Sequence, residues 1–269
     1  MDTIQISIEA TEEQQELLVS KLTDFGAEGF EQREQQLIAY FPALDFNSYE
    51  INAALENYTF HTLTLEEQNW NAIWESNFQP VNVGDFCTVR ADFHEPVPGA
   101  HYEIIITPKM SFGTGHHATT YMMIEQMENI DCKNKRVFDF GTGTGILAIL
   151  AEKLGAAHIT AIDVDEWSIT NAKENFERNG CSKIRVAQST IIPPEQFDII
   201  LANINRNVIL NYMAELIKAL TPGGYMLLSG LLTTDEEAVL SAASDGGLIL
   251  RTRIERNNWL SVLLQRALE

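Results

Sequence analysis

The stretch from Arg136 to Asp165, RVFDFGTGTGILAILAEKLGAAHITAIDVD, limits what this chain can fold into more than any other. An apolar run, Val137 to Phe140, leads into three glycines at alternate positions, Gly141, Gly143 and Gly145. Ile146, Leu147, Ile149, Leu150 and Leu154 then recur with helical spacing, and Gly155 stands where the helix should stop. A second apolar run, Ile159 to Val164, carries the acids Asp163 and Asp165 at its end. The pattern spells strand, glycine turn, helix, strand. Glycine lets a ligand touch the backbone, and the helix start behind it offers N–H groups without partners. A carboxylate at the end of the second strand can accept hydrogen bonds from both hydroxyls of a ribose. The unit is predicted to bind a nucleoside through its glycine turn and Asp163.

The glycine spacing narrows the choice of nucleoside. A dinucleotide site has the spacing G-x-G-x-x-G, with pyrophosphate at the helix start. This chain reads G-x-G-x-G, and Ile146 occupies the position of the last glycine. That disfavours a dinucleotide oxidoreductase. S-adenosylmethionine has a ribose and no phosphate, so it needs close backbone approach without the third glycine. A glycine-rich turn with no ligand would not require an acid at position 163.

The formal net charge of −20 excludes a second class of function. Such a chain is repelled by nucleic-acid backbone unless a basic patch offsets it, and the sequence holds no basic run. A basic protein partner fits the charge better, and direct nucleic-acid binding is not expected. Cys87, Cys132 and Cys181 are odd in number and far apart, which argues against a disulfide framework or a zinc site. Met1 leads straight into strand-like sequence, and no run approaches the ~20 apolar residues of a membrane span. The expectation is a soluble, cytoplasmic monomer away from membranes.

Taken in order, the chain divides in two. Ile4, Ile6 and Ile8 alternate as in a half-buried strand, and a helix starts at Thr11 and ends at Gly26. Strands over Gly29–Arg33 and Gln36–Phe41, a helix over Asn47–Asn57 and a strand over Tyr58–Leu65 complete a βαββαβ order. That is the order of a small ferredoxin-like α+β domain, residues 1–65. A linker helix over residues 66–80 carries Trp70 and Trp74, read as packing on both domains. Residues 81–269 form the larger domain. It begins with strands over Asp85–Ala91 and His101–Thr107 and a helix over Tyr121–Met127. After the central unit come a helix, Glu166–Asn179, and strands over Lys183–Gln188 and Phe197–Ile204. A long helix then runs to Leu220, with Pro222, Gly223 and Gly224 as its stop. A strand over Tyr225–Ser229, a helix over Thr233–Ser244 and a final pair, Leu248–Glu255 and Trp259–Gln265, turned by Asn257 and Asn258, finish the chain. Short apolar strands alternating with helices imply a parallel α/β sheet covered on both faces, into which the last hairpin inserts one antiparallel strand.

Two further segments carry chemistry. The loop Pro108–Thr120, PKMSFGTGHHATT, is rich in glycine and hydroxyl groups and is read as folding over a ligand. Adjacent His116 and His117 seldom ligate one ion, and no Cys, Asp or Glu stands near them at ligand spacing, so no metal is expected. Thr119 or Thr120 is read as a helix cap. Asn203, Ile204 and Asn205 follow an apolar strand, at the end of the sheet where ligands bind. Asn205 can cap the next helix. Asn203 offers an uncharged acceptor and two donors, suited to holding an amine toward an electrophilic methyl group.

With these pieces the sequence resembles the ribosomal protein L11 methyltransferases, part of the wider S-adenosylmethionine-dependent superfamily. The likeness runs through WNAIWESNFQPV, SFGTGHHATT, DFGTGTGILAI, AIDVDEWSITNAKENFERNG, LANIN and LTPGGYMLLSG. Two departures are an Ala118 where many relatives have Pro, and Thr142, Gly143 and Thr144 where many have Cys-Gly-Ser. Neither removes a needed glycine or hydroxyl. The resemblance implies a seven-stranded Rossmann-like methyltransferase sheet and a small amino-terminal domain that recognises the ribosomal protein. It implies transfer of methyl groups from S-adenosylmethionine to lysine side chains and the amino terminus of L11. It carries cofactor contacts onto Thr120, Gly141, Asp163 and Asn203, to which the glycine turn adds Gly143. An S-adenosylmethionine-dependent methyltransferase acting on RNA or a small molecule is the alternative, because its catalytic domain would look alike.

Overall fold

The computed structural model describes residues 3–44, 46–65, 79–107 and 115–268. Chain contacts divide it into two compact units, Met1–Phe78 and Gln79–Glu269. Of the linker helix predicted over 66–80, all but Gln79 and Pro80 lies outside the described residues, and these two are not helical.

In the first unit, Ile4, Ile6 and Ile8 point inward from β1 (Thr3–Glu9). Helix α1 (Glu12–Asp24) starts where the Thr11 N–H donates to Gln14 Oε1 at 2.9 Å. Strands β2 (Gly29–Arg33) and β3 (Gln36–Pro42), helix α2 (Ser48–Ala54) and strand β4 (Phe60–Leu65) follow. Asn47 Oδ1 caps α2 by accepting from the Tyr49 and Glu50 N–H groups. The sheet order β2-β3-β1-β4 is antiparallel throughout, as in a ferredoxin-like sandwich. Leu18 and Leu22 of α1 join Ile6, Ile8, Leu37 and Phe41 in its core. Gln15, nearly inaccessible, donates to the carbonyls of Ala10 at 3.0 Å and Arg33 at 2.7 Å, so its burial leaves the amide N–H groups bonded.

The second unit opens with a three-stranded sheet of β5 (Val81–Val83), β6 (Cys87–Ala91) and β7 (Tyr102–Ile106). The two longer strands were predicted; β5 was not, because three residues carry no period. Strands β6 and β7 pair parallel although only residues 92–101 join them. Parallel neighbours usually need a longer crossover. Here the buried Arg90 holds the connection: Nε and Nη2 grip Glu103 at 2.7 and 3.1 Å, while Nη1 donates to the Ala91 and His94 carbonyls.

The remaining elements are α3 (Ala118–Met127), β8 (Arg136–Phe140), α4 (Ile146–Lys153), β9 (His158–Asp163), α5 (Glu166–Arg178), β10 (Ile184–Gln188), β11 (Phe197–Asn203), α6 (Arg206–Ala219), β12 (Leu220–Leu232), α7 (Glu236–Asp245), β13 (Leu248–Arg256) and β14 (Trp259–Arg266). They build a seven-stranded sheet of order β10-β9-β8-β11-β12-β14-β13. Only β14 runs against its neighbours, and Asn257 and Asn258, both at positive φ, make its hairpin turn. Helix α2 is shorter than expected and α3 begins three residues earlier, but the boundary that differs most is that of β12. β12 begins at Leu220 opposite Phe197, and pairing resumes at Tyr225 opposite Ile199. Pro222, Gly223 and Gly224 are thus an irregularity within the strand. Phe138 stacks on Phe197 at 4.9 Å and on Phe140 at 5.8 Å, which ties β8 to β11 through the core. From β8 the chain moves outward through β9 and β10, then returns to β11 on the other side. The reversal opens a crevice at the carboxyl ends of β8 and β11, where open α/β sheets bind ligands.

Candidate active site

A cavity of about 620 Å³ lies at that crevice, within the range of small-molecule sites. Gly141, Gly143, Asp163 and Asn203 all line it. On the first wall, the glycine turn is shaped by what packs on it. Gly141 has φ +77°, and a Cβ there would stand 2.3 Å from Ile204 Cγ2. Gly145 has φ +81°, and a Cβ there would stand 2.4 Å from Phe176 Cε1 on α5. Any side chain at either place would be strained and crowded. Asp163 meets this turn from β9. Its Oδ2 accepts from the Gly143 N–H at 2.9 Å and its Oδ1 from the Asp165 N–H at 3.1 Å. Each oxygen keeps a second lone pair. Asp165, also on the cavity wall, caps α5 by accepting from the Trp167 N–H at 3.1 Å.

Beneath the turn lies Asp139, a residue that sequence reasoning passed over. It is 1% exposed, and Thr142 Oγ1 donates to its Oδ2 at 2.6 Å. Burial pushes its carboxyl up to about 7; the Thr142 bond opposes the rise and the nearby Asp163 charge adds to it. The Ala148 backbone also favours its charged form, but among the described residues its Oδ1 has no partner at hydrogen-bond distance.

The opposite wall is built differently. Asn203 ends β11, and its Nδ2 donates to Thr120 Oγ1 at 3.1 Å. Its Oδ1 is buried and has no hydrogen-bond partner among the described residues. Thr120 is fully buried and supports Asn203 from behind; it is not part of the cavity lining. The cap of α3 is His117, whose Nδ1 accepts from the Thr119 N–H at 3.4 Å and lies 2.8 Å from Thr119 Oγ1. Thr119 and Thr120 are inside the helix, so neither is the cap expected from sequence. Asn205 does cap α6, accepting from the Val208 N–H at 3.1 Å.

Two more residues of this wall, Gly230 and Trp259, had no reading as site residues. Gly230 has φ +81°, and a Cβ there would stand 2.3 Å from the Ile204 carbonyl oxygen. Its place just after an apolar strand was the signal that could have found it. Ile204 is therefore seated between Gly141 and Gly230. Trp259, first residue of β14, packs edge-on against the His117 ring with centroids 4.7 Å apart, and both rings line the cavity. Beside them the Arg256 guanidinium lies 3.8 Å from the centre of the Tyr121 ring. Among the described residues no group of three or more His, Cys, Asp or Glu is placed to hold a metal ion.

Comparison with known proteins points to one family. The family model described as "Ribosomal protein L11 methyltransferase" matches residues 30–267. A protein of that name from Bacteroides fragilis is 39% identical over 265 residues, covering 94% of each chain. Another from Porphyromonas gingivalis is 42% identical over 258 residues, covering 92% of this chain and 89% of its own. Among solved structures, the ribosomal protein L11 methylase from Lactobacillus delbrueckii subsp. bulgaricus superposes with a TM-score of 0.66 at 27% identity. It aligns with 71% of this chain over all of its own.

Proposed function

Since this chain belongs to the ribosomal protein L11 methyltransferase family, we propose a division of labour for its cavity, with Asp163 and the glycine turn holding the cofactor and Asn203 the reacting amine. The protein is an S-adenosylmethionine-dependent methyltransferase that modifies amino groups of ribosomal protein L11. When bound, the cofactor supplies a methyl group already activated on a sulfonium.

The cavity suits that cofactor on its own chemistry. The second lone pairs of Asp163 can accept the two ribose hydroxyls. Gly141 and Gly143 let the ligand approach the backbone, and no cationic phosphate cradle is needed. Thr120 acts through Asn203, fixing which way the amide faces. The observation that carries the reading is Asn203 Oδ1, a buried acceptor without a hydrogen-bond partner among the described residues, on a side chain that lines the same cavity as Asp163. Leaving such an atom unbonded costs ~1–3 kcal/mol, so the site is poised for a donor. A substrate amine supplies one: its N–H bonds to Oδ1 while its lone pair stays free for in-line attack. A lysine amine has a pKa near 10.4 and must first lose a proton. The wall of Trp259, His117 and Ile204 withholds water from it, which lowers that pKa. We assign recognition of L11 to the acidic first unit, whose electrostatics suit a basic ribosomal protein.

The direct test is incubation of the purified enzyme with purified L11 and S-adenosylmethionine, read by mass spectrometry of the intact ribosomal protein. Added methyl groups on lysines or the amino terminus are expected. An unmodified L11 alongside a methylated RNA or small molecule in the same reaction would overturn the assignment.

A further inference from the structure

Helix α5 carries asparagines at positions 171 and 175, and a third, Asn179, caps its C-terminus one turn further on. Asn175 is completely buried. Its Nδ2 donates to the Thr144 carbonyl at 2.8 Å, inside the glycine turn, and reaches Asn171 Oδ1 at 3.3 Å. Its Oδ1 accepts from the Thr107 N–H at 2.7 Å, just past the end of β7. Asn179, one turn on, grips the same strand: its Oδ1 accepts from the Ile105 N–H at 3.0 Å and its Nδ2 donates to the Ile105 carbonyl at 2.6 Å. The two amides thus treat β7 as a neighbouring strand would, and only Asn175 also touches the turn. A helix face that merely packs is filled with apolar side chains, as Ala172 and Phe176 do here against Gly145. A buried amide with its donors and acceptor spent on two distant backbone segments fixes where those segments stand.

We infer that Asn175 is a positioning residue for the cofactor, holding the peptide at Thr144 so that the neighbouring Gly143 presents its backbone to the cavity and to Asp163. The inference rests on the S-adenosylmethionine reading of this cavity. Thr144 lies between the two glycines whose shape the site needs, and its carbonyl is the only turn atom that α5 bonds through a side chain among the described contacts. Asn179 fastens the same strand with no bond to the turn, so it separates a positioning role from ordinary stabilisation.

The test uses S-adenosylhomocysteine, an unreactive probe of the same pocket, in titration calorimetry on the full chain. Asn175→Asp keeps the size and the acceptor toward Thr107 and sets an oxygen against the Thr144 carbonyl. Its Kd should rise about tenfold, equivalent to ~1.4 kcal/mol. KM for S-adenosylmethionine should rise with it while kcat at saturation stays within about threefold, the mark of lost ground-state positioning. Asn179→Ala should lower the melting temperature and leave Kd within about twofold, since it touches only β7 and its own helix. Should the charged variant fail to fold, Asn175→Ser, smaller and uncharged, should show the same weakening. Folded Asn175 variants that bind the probe as tightly as the parent would overturn the inference, as would an equal weakening in Asn179→Ala. A parent chain with no affinity for the probe would overturn the cofactor reading itself, and the inference with it.

Discussion

At the glycine turn the bonds that shape the loop are closed within the protein, and the open oxygen of Asp139 lies beneath it, off the cavity wall; on the Asn203 wall the open acceptor belongs to a cavity-lining residue. Gly143 is held by Asp163 through its N–H, Thr144 by Asn175 through its carbonyl and Thr142 by Asp139 through its hydroxyl, so each of these three residues is tied to a side chain outside the turn. Asn203 has Thr120 on its nitrogen and, among the described residues, nothing on its oxygen. The difference follows from what each wall meets. A cofactor of constant shape rewards a rigid cradle that needs no rearrangement. A reacting amine, which changes its protonation and its substitution, is better met by one unspent acceptor than by a closed network.

That contrast can be broken or sharpened by substitution. The largest effect is expected at Gly230, on the amine wall, because its obstacle is the Ile204 backbone. Gly230→Ala combines left-handed strain with overpacking, together about 2–5 kcal/mol. Thermal unfolding should show it, with turnover falling as Asn203 shifts; an unperturbed melting temperature would mean that the Ile204 seat is soft. Asn203→Asp comes next. A carboxylate against the substrate nitrogen raises that amine's pKa by about 1–3 units, each worth about tenfold in rate. At saturating cofactor, turnover should collapse near neutral pH and partly recover as pH rises, whereas Asn203→Ala should be slow without that recovery. Parallel pH profiles for parent and Asp variant would leave Asn203 a cofactor contact alone.

On the cofactor side each effect isolates a single group. Asp163→Ala should weaken S-adenosylmethionine binding by roughly 1.5–3 kcal/mol, the scale of a charged hydrogen bond. Calorimetry on the folded variant checks it, and unchanged affinity would take Asp163 off the ribose. The effect at Asp139 is the smallest per pH unit and is spread over a pH window. Its folded pKa near 7 stands above the ~3.9 of an unfolded chain, so the native state binds the extra proton between those values. Its contribution to stability is full below pH ~4 and is lost as pH rises through ~7. Asp139→Asn does not titrate, so its stability relative to the parent should climb by at most ~1.4 kcal/mol per pH unit across that window. Denaturant titrations at several pH values measure this, and a constant difference would show that Asp139 is already ionised when folded.

What could be read from sequence was local. The β–α–β unit and its acid sit within thirty-odd consecutive residues, and period, glycine and carboxylate each pointed the same way. Asn205 as a cap was legible for the same reason. What escaped needed the fold to bring distant segments together. Trp259 reaches His117 only because β14 is inserted beside β12, and nothing near Trp259 says so. Asn175 read as one polar residue on a helix until β7 and the glycine turn stood on either side of it. The parallel pairing of β6 and β7 turned on a single buried arginine, which looks in sequence like any surface charge.

The inserted strand has a consequence for the order in which this protein becomes active. β14 fills the gap between β12 and β13, yet follows both along the chain. During synthesis at about 5–20 residues per second, the first unit and the strands from β8 to β12 emerge while that gap is still open. Trp259 can complete the cavity only when β14 docks. A half-made chain can therefore shape the glycine turn without being able to enclose an amine, and methyl transfer begins as one of the last events of folding.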